Sequence, residues 1–244
     1  MNLTIDQGNT LTKIGIFNQD NLIAESVVSD NEIEKLFAEF PIKNTILSSV
    51  IHTSAETIDL LTSKSETFIQ LNENTPLPIK NLYKTPATLG KDRIAVAVGA
   101  NYLKPHTNAL VIDAGTTITY EFVNAQGEYL GGNISPGMKM RFDALHTFTK
   151  KIPLIECAEN LANADSWFDL LGNDTKSAIS SGVINGIIFE MDGYINTLKE
   201  KYSDIIVFLT GGDTFFFEST LKNRIFAHKN LLLVGLNRIL NYNV

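Results

Sequence analysis

The sequence predicts an α/β protein built as two similar halves, each a mixed β-sheet flanked by helices. Two observations carry this prediction. Residues 3–12, Leu-Thr-Ile-Asp-Gln-Gly-Asn-Thr-Leu-Thr, are nearly repeated at 110–119, Leu-Val-Ile-Asp-Ala-Gly-Thr-Thr-Ile-Thr. Leu3/Leu110, Ile5/Ile112, Asp6/Asp113, Gly8/Gly115, Thr10/Thr117 and Thr12/Thr119 are identical, and an internal repeat of this kind implies duplicated units. Each copy is also followed by segments whose apolar spacing alternates between strand and helix.

In order, residues 2–7 and 11–17 read as paired strands, with a third near Leu22–Val28. Ile33, Leu36, Phe37 and Phe40 recur at helical spacing within Asn31–Phe40. Thr45–Val50 reads as a short strand, 54–63 as helix and Thr67–Leu71 as strand. Residues 72–89 read as irregular, with Pro76, Pro78 and Pro86 keeping helix out. Helix resumes from about Leu89 to Leu103. Strands follow near 109–113, 117–123 and 128–134, then a helix after Pro136, a residue suited to a first helical turn. A long helix runs from about Thr175 to Tyr202, carrying Ile179, Val183, Ile187, Met191, Tyr194 and Leu198 and capped by Asp174 or Asn173. Ile205–Leu209 is a buried-type strand leading into Thr210-Gly211-Gly212-Asp213. The short stretch Tyr102–Thr107 divides the chain into residues 1–105 and 106–244.

The repeated Asp-x-Gly-x-Thr turns suit phosphate binding. Gly8 and Gly115 can take positive φ and reverse the chain tightly, and glycine lets backbone N–H groups approach an anion. Asn9, Thr10, Thr116 and Thr117 add side-chain donors. Asp6 and Asp113 fall at strand ends, where a carboxylate can hold a cation or its water. An ordinary pair of hairpins is the alternative, Asp and Gly being common turn residues. Two facing turns imply a nucleotide cleft between the halves.

The chain of 244 residues, 44% hydrophobic and 19% charged, has the composition of a globular protein. Its net charge of −7 and pI of about 5.1 argue against nucleic acid or an anionic membrane as a partner. Cys157 is the single cysteine, which precludes an intrachain disulfide and fits a reducing cytoplasm. No leader-like segment opens the chain, and no apolar run approaches the ~20 residues that span a bilayer. His52, His106, His146 and His228 lack metal-ligand spacing.

Asp6-Gln7-Gly8-Asn9-Thr10, Gly90-Lys91-Asp92-Arg93 and Asp113-Ala114-Gly115-Thr116-Thr117 resemble, in order and spacing, the three signature motifs of type III pantothenate kinases. That family lies in the acetate and sugar kinase, Hsp70 and actin superfamily. The resemblance covers essentially the whole chain, including Gly131–Gly137 and Thr175–Gly182. It implies duplicated ribonuclease-H-like (actin-like) domains and ATP-dependent phosphorylation of pantothenate to 4′-phosphopantothenate (EC 2.7.1.33), the first step of coenzyme A biosynthesis. It also implies a divalent cation such as Mg²⁺, a monovalent cation (K⁺ or NH₄⁺) and a cytoplasmic homodimer. There is no Gly-x-x-x-x-Gly-Lys-Ser/Thr loop, no His-Arg-Asp loop and no Gly-x-Gly-x-x-Gly.

The resemblance assigns ATP phosphates to Asp6, Gln7, Gly8, Asn9, Thr10, Leu11, Thr12 and Lys13, with Thr116 as a further ATP contact. Asp6 is implied to hold Mg²⁺, directly or through water, and Asp113 the monovalent cation. Asp92 is implied to be the proton acceptor. Tyr83, Gly90, Lys91, Asp92, Arg93 and Thr175 are implied to contact pantothenate. Gly211 and Gly212 are candidates to approach the adenosine. Read on their own, Lys91–Arg93 are a charged first helical turn, Tyr83 a core tyrosine and Thr175 a helix-start residue. Gly182 and Gly186, four apart on one helix face, permit close packing at a dimer seam or within the monomer. Two other readings share the scaffold: another small-molecule kinase, or a non-enzymatic nucleotide-binding regulator. The first lacks a reason for Gly90–Arg93 with its upstream tyrosine, and the second lacks a reason to keep Asp92, Arg93 and Thr175.

Overall fold

A computed structural model describes residues 1–156, 169–202 and 204–244; Cys157 lies outside the described residues. The chain divides into two compact units. The first comprises Met1–Thr107, Glu121–Gly131 and Asn230–Val244, the second Asn108–Tyr120 and Gly132–Lys229.

The first unit is built on a five-stranded sheet of β1 (Asn2–Gln7), β2 (Thr12–Asn18), β3 (Asn21–Val28), β4 (Asn44–Ser49) and β5 (Thr67–Gln70), in the order β3-β2-β1-β4-β5. The β1–β2 and β2–β3 pairs are antiparallel and the β1–β4 and β4–β5 pairs parallel, so the sheet is mixed. Side chains alternate across a strand, and both faces of β1 and β4 are buried. Leu3, Ile5 and Leu47 pack with Ile33 and Leu36 of α1 (Ile33–Glu39) and Leu61 of α2 (Ala55–Lys64). Ile46 packs instead with Ala95, Ala97 and Val98 of α3 (Lys91–Leu103) and Leu236, Ile239 and Leu240 of α7 (Leu231–Tyr242). Each leucine, isoleucine or valine among them contributes roughly 1.5–3 kcal/mol by leaving water.

Helices α3 and α7 cross at glycine. A Cβ on Gly235 would lie 1.8 Å from the Ala95 carbonyl oxygen, and one on Gly99 2.5 Å from that of Leu231. An asparagine ladder ties the same helix to the sheet: Asn2 Nδ2 donates to Asn237 Oδ1 (2.9 Å) and Asn241 Oδ1 (2.6 Å), and Asn44 Nδ2 to Asn2 Oδ1 (3.1 Å). Helix α7 is absent from the sequence reading, although Leu233, Leu236 and Leu240 repeat at helical spacing.

A six-stranded sheet has the order β11-β10-β7-β8-β9-β6. It is formed by β6 (Lys80–Asn81), β7 (Asn108–Ala114), β8 (Thr117–Val123), β9 (Glu128–Pro136), β10 (Ile205–Thr210) and β11 (Phe226–Ala227). Within the second unit, α4 (Met138–Thr147), α5 (Thr175–Lys201) and the short α6 (Thr214–Glu218) accompany the sheet. Asp174 caps α5, accepting from Lys176 N (2.8 Å) and Ser177 N (3.0 Å), while Ser177 Oγ accepts from Asp174 N (3.1 Å); this is a capping box.

Three sequence expectations are corrected. Residues 72–89 contain β6 and a 3₁₀ turn at Pro86–Thr88. Pro136 ends β9 and Gly137 caps α4, because Gly137 is held against a neighbouring turn described below. Neither Gly8 nor Gly115 adopts positive φ; the left-handed glycines are Gly127, Gly131 and Gly211.

Candidate active site

In the first unit, the β1–β2 connection forms a four-residue turn closed by Gly8 N donating to Leu11 O at 3.1 Å. Asn9, Thr10 and Leu11 are exposed. Together with Gln7, Gly8 and Thr12 they line a groove of about 550 Å³ whose other wall includes Val27, Ser29, Glu32 and Ile51. Asp6, the last residue but one of β1, receives Ser48 Oγ at 3.4 Å and stands opposite Lys13 in the antiparallel register. A cross-strand pair of opposite charges is favourable. Gln7 is buried, and its Oε1 accepts from Ser49 Oγ (3.0 Å) and Thr53 Oγ1 (2.6 Å). The turn is thus anchored at its base while its tip stays open to water.

The Gly90–Arg93 segment opens α3, with Gly90 at the N-cap position and Asp92 in the first turn. Asp92 Oδ1 accepts from Arg93 N at 2.8 Å, so one carboxylate oxygen is fixed to the helix terminus whose dipole favours its negative charge. A Cβ on Gly90 would sit 2.4 Å from that oxygen. Lys91 Nζ is 3.7 Å from Glu73 Oε2 and donates to Leu89 O at 3.4 Å.

Arg93 is buried, not surface-paired. Its Nε donates to Glu121 Oε1 at 2.5 Å and its Nη2 to Glu121 Oε2 at 3.0 Å. The Tyr129 hydroxyl also donates to Glu121 Oε2 and accepts from Arg93 Nη2 at 3.4 Å. Burial works against the guanidinium charge, but Glu121 outweighs it and raises the Arg93 pKa. Burial and the adjacent carboxylate also push the Tyr129 hydroxyl upward, keeping it a donor. Tyr83 joins this cluster: its ring centroid is 5.6 Å from the Arg93 guanidinium and 6.2 Å from the Tyr129 ring. A Cβ on Gly131 would lie 3.6 Å from the Tyr83 ring.

In the second unit, the repeated turn is tighter than its counterpart. Only Gly115 and Thr116 separate β7 from β8, with Gly115 N donating to Thr117 O at 3.0 Å. Two glycines pack on its backbone. A Cβ on Gly137 would approach the Gly115 carbonyl oxygen to 2.1 Å, and one on Gly211 (φ +96°) would approach the Ala114 carbonyl oxygen to 2.2 Å and Asp113 Oδ1 to 2.5 Å. Gly137 N donates to Thr116 O (3.2 Å) and Asp213 N to Ala114 O (2.9 Å). Burial pushes the Asp213 carboxyl upward. Among the described residues a Cβ on Gly115 would meet nothing within 4 Å. Thr175 is the exposed first residue of α5. His146 Nδ1 bonds with Ile152 O at 2.8 Å.

In the first unit an anchored Asp-x-Gly turn open at its tip and a helix-start carboxylate, and in the second unit another such turn, are each of a kind that suits phosphoryl transfer, in which positioning and charge neutralisation do most of the work. Residues 2–197 match the family model for type III pantothenate kinase. The chain is 47% identical over 246 residues to the type III pantothenate kinase of Phocaeicola vulgatus, covering 100% of this chain and 99% of that one. The chain belongs to the type III pantothenate kinase family. Like the other members it is an ATP-dependent kinase of coenzyme A biosynthesis (EC 2.7.1.33), acting on pantothenate with ATP and a divalent cation. Its fold is actin-like. The activator of the 2-hydroxyisocaproyl-CoA dehydratase from Clostridium difficile, solved with bound ADPNP, aligns with a TM-score of 0.55 at 15% identity over 99% of this chain and 93% of that one. A ROK hexokinase from Thermus thermophilus aligns with a TM-score of 0.55 at 11% identity over 99% and 98%.

The sequence reading of this pantothenate kinase does not single out Glu121. Glu121 was signalled by position: a carboxylate in the apolar run Ile118–Val123 needs a buried partner.

Proposed function

We propose that the Asp6–Lys13 turn grips the ATP phosphates through its N–H groups and the Asn9 and Thr10 side chains, with Lys13 adding positive charge beside Asp6. The exposed tip, the adjoining groove and the Asp6–Lys13 register support this. Among the described residues no group of three or more His, Cys, Asp or Glu side chains is placed to hold a metal ion. That fits a divalent ion carried by phosphate oxygens and water with Asp6 alone, as Mg²⁺ prefers. Such an ion, when bound, neutralises charge on the phosphate oxygens. Thr116 contacts ATP, Gly211 and Gly212 approach its adenosine, and Asp113 with neighbouring carbonyls takes K⁺ or NH₄⁺.

Asp92 is the proton acceptor. The primary alcohol of pantothenate gives its proton to the Asp92 carboxylate as its oxygen bonds to the γ-phosphorus and the bond to ADP breaks. The base need not be strong if the proton leaves late in a loose transition state. Tyr83, Gly90, Lys91 and Thr175 orient pantothenate. Because its fork is directed at Glu121, Arg93 acts on the substrate mainly by fixing the Tyr83 face. The observation that carries this reading is Asp92 held at an α3 terminus that Gly90 leaves uncovered.

A homodimer in the cytoplasm completes the proposal. Gly182, Gly186, Phe189 and Gly193 fall on one face of α5. Among the described residues a Cβ on Gly182 or Gly193 would touch nothing within 4 Å and one on Gly186 only Arg141 Nη1 at 4.0 Å, and Phe189 is 55% exposed. Packing among the described residues does not require these glycines, which supports the dimer-seam alternative.

The test is ATP-dependent conversion of pantothenate, with Mg²⁺ and K⁺, followed by mass spectrometry. A product heavier by one phosphoryl group, lost in Asp92→Asn and depressed when Na⁺ replaces K⁺, supports the assignments. Normal turnover in Asp92→Asn removes the base, and equal rates in the two salts remove the cation site.

A further inference from the structure

We propose that an ion pair remote from the signature motifs, Arg141 with Glu190, positions the second Asp-x-Gly-x-Thr turn and so sets the enzyme's response to ATP and monovalent cation. The inference rests on the reading of residues 113–117 as a nucleotide and cation turn. Glu190, on α5, collects three donors: Tyr120 Oη at 2.7 Å on Oε1, and Arg141 Nη2 at 2.6 Å and Ser135 Oγ at 3.1 Å on Oε2. Arg141, on α4, uses Nη2 also for Ser135 Oγ (2.9 Å) and turns Nε back onto the Pro136 carbonyl oxygen at 2.9 Å. Both side chains are mostly covered, at 20% and 25% exposure.

The consequence runs through one peptide unit. The Pro136 carbonyl that Arg141 holds belongs to the peptide whose N–H is that of Gly137. This N–H donates to Thr116 O at 3.2 Å, and the Gly137 α-carbon rests where a Cβ would stand 2.1 Å from Gly115 O and 2.6 Å from Thr116 O. A peptide is planar, so fixing its carbonyl fixes the direction of its N–H. Arg141 therefore orients the donor that holds the turn, and Glu190 orients Arg141. On the other side of the turn, Tyr120 of β8 is hydrogen-bonded to the same carboxylate and stacks on Tyr194 of α5, with ring centroids 4.2 Å apart. The Thr117–Tyr120 strand leaving the turn and the Gly137 peptide packed upon it are thus referred to one side chain. A charge-assisted hydrogen bond of this kind has the strength and direction to do so, and small displacements of a positioning group are costly in phosphoryl transfer.

The experiment compares Arg141→Ala, Arg141→Lys and Glu190→Gln with the parent enzyme, measuring KM for ATP, KM for pantothenate, half-saturation by K⁺, and Tm. The expected result is a rise of about tenfold in KM for ATP and in the K⁺ requirement for Arg141→Ala. Arg141→Lys and Glu190→Gln should give smaller rises, with KM for pantothenate within about twofold. A merely structural pair would lower Tm without separating the substrates, and that outcome overturns the proposal. If Arg141→Ala does not fold, the two conservative variants decide by the same split. Asp113→Asn and Thr116→Ala are measured alongside. If these change ATP and K⁺ dependence while the clamp variants do not, the clamp inference is wrong and the turn reading stands. If none of the five has an effect, the turn reading itself is wrong, and the clamp inference goes with it.

Discussion

Glu121 meets Arg93 as a two-point fork, Oε1 to Nε at 2.5 Å and Oε2 to Nη2 at 3.0 Å, with side-chain exposures of 0% and 7%. A guanidinium so enclosed cannot lose its partner cheaply. Glu121→Ala should destabilise the first unit by about 3–5 kcal/mol, the usual cost of leaving a buried charge unpaired. Denaturant titration of the variant checks it, and a loss below about 1 kcal/mol would contradict the description of the pair.

Gly90 and Asp92 form a second pair with a separable consequence. The backbone at Gly90 (φ −56°, ψ 135°) accepts any residue, but an added methyl would collide with Asp92 Oδ1. The carboxylate can rotate away, so Gly90→Ala should leave Tm nearly unchanged. Misplacing the proton acceptor should lower kcat by about ten- to a hundredfold. Steady-state kinetics with a thermal melt tests both halves.

Asp92→Asn removes the proposed acceptor without altering shape. It should lower kcat by about 10²–10⁴ while leaving ATP binding within about threefold. Isothermal calorimetry with ATP and a single-turnover assay read the two quantities separately.

Gly235→Ala is predicted to act on stability instead. Its methyl would be driven onto the Ala95 carbonyl, which is backbone and cannot swing aside. Overpacking there should cost about 1–3 kcal/mol, visible as a lower urea midpoint.

The Glu190 cluster gives a pH prediction. Burial raises the Glu190 pKa, but its bonds with Arg141, Tyr120 and Ser135 prevail and hold it below its ordinary 4.5. A carboxyl lowered on folding contributes stability that is fully present above the unfolded value and is lost as pH falls through the folded one. Tyr120 is pushed above its ordinary 10.0, first by burial and then by Glu190. A proton held more tightly in the folded state gives the opposite limb: stability is intact below pH 10 and declines above it. Glu190→Gln should flatten the acid limb of a Tm–pH curve below pH 4.5. Tyr120→Phe should flatten the alkaline limb.

What could be read in the sequence was local. The Asp6 and Asp113 turns, the Gly90–Arg93 helix start and the Asp174 cap depend on neighbours within a few residues, and their elements stand where the pattern put them, to within one or two residues. The motif residues are carried by those elements, but their roles rest on family resemblance. Long-range partners were illegible: nothing near Arg93 announces Glu121, and nothing near Gly137 announces Glu190. The glycines were misread for the same reason. Gly8 and Gly115 looked like residues needing unusual backbone angles, yet the left-handed conformation falls at Gly211, where Ala114 crowds it. Helix α7 was missed although its apolar spacing was present, and its partners Ala95 and Gly99 lie far away in the chain.

That last helix also bears on how the polypeptide is made. Ribosomes deliver the chain from its amino end, and early segments ordinarily fold as they emerge. Here Asn2 waits for partners 235 and 239 residues further along: it finds Asn237 and Asn241 only after α7 has been translated. Until then the α3 surface around Ala95 and Gly99 has no cover. A nascent chain stalled before residue 231 is therefore a substrate for chaperones or proteases, and residues 1–107 expressed alone would inherit the same defect.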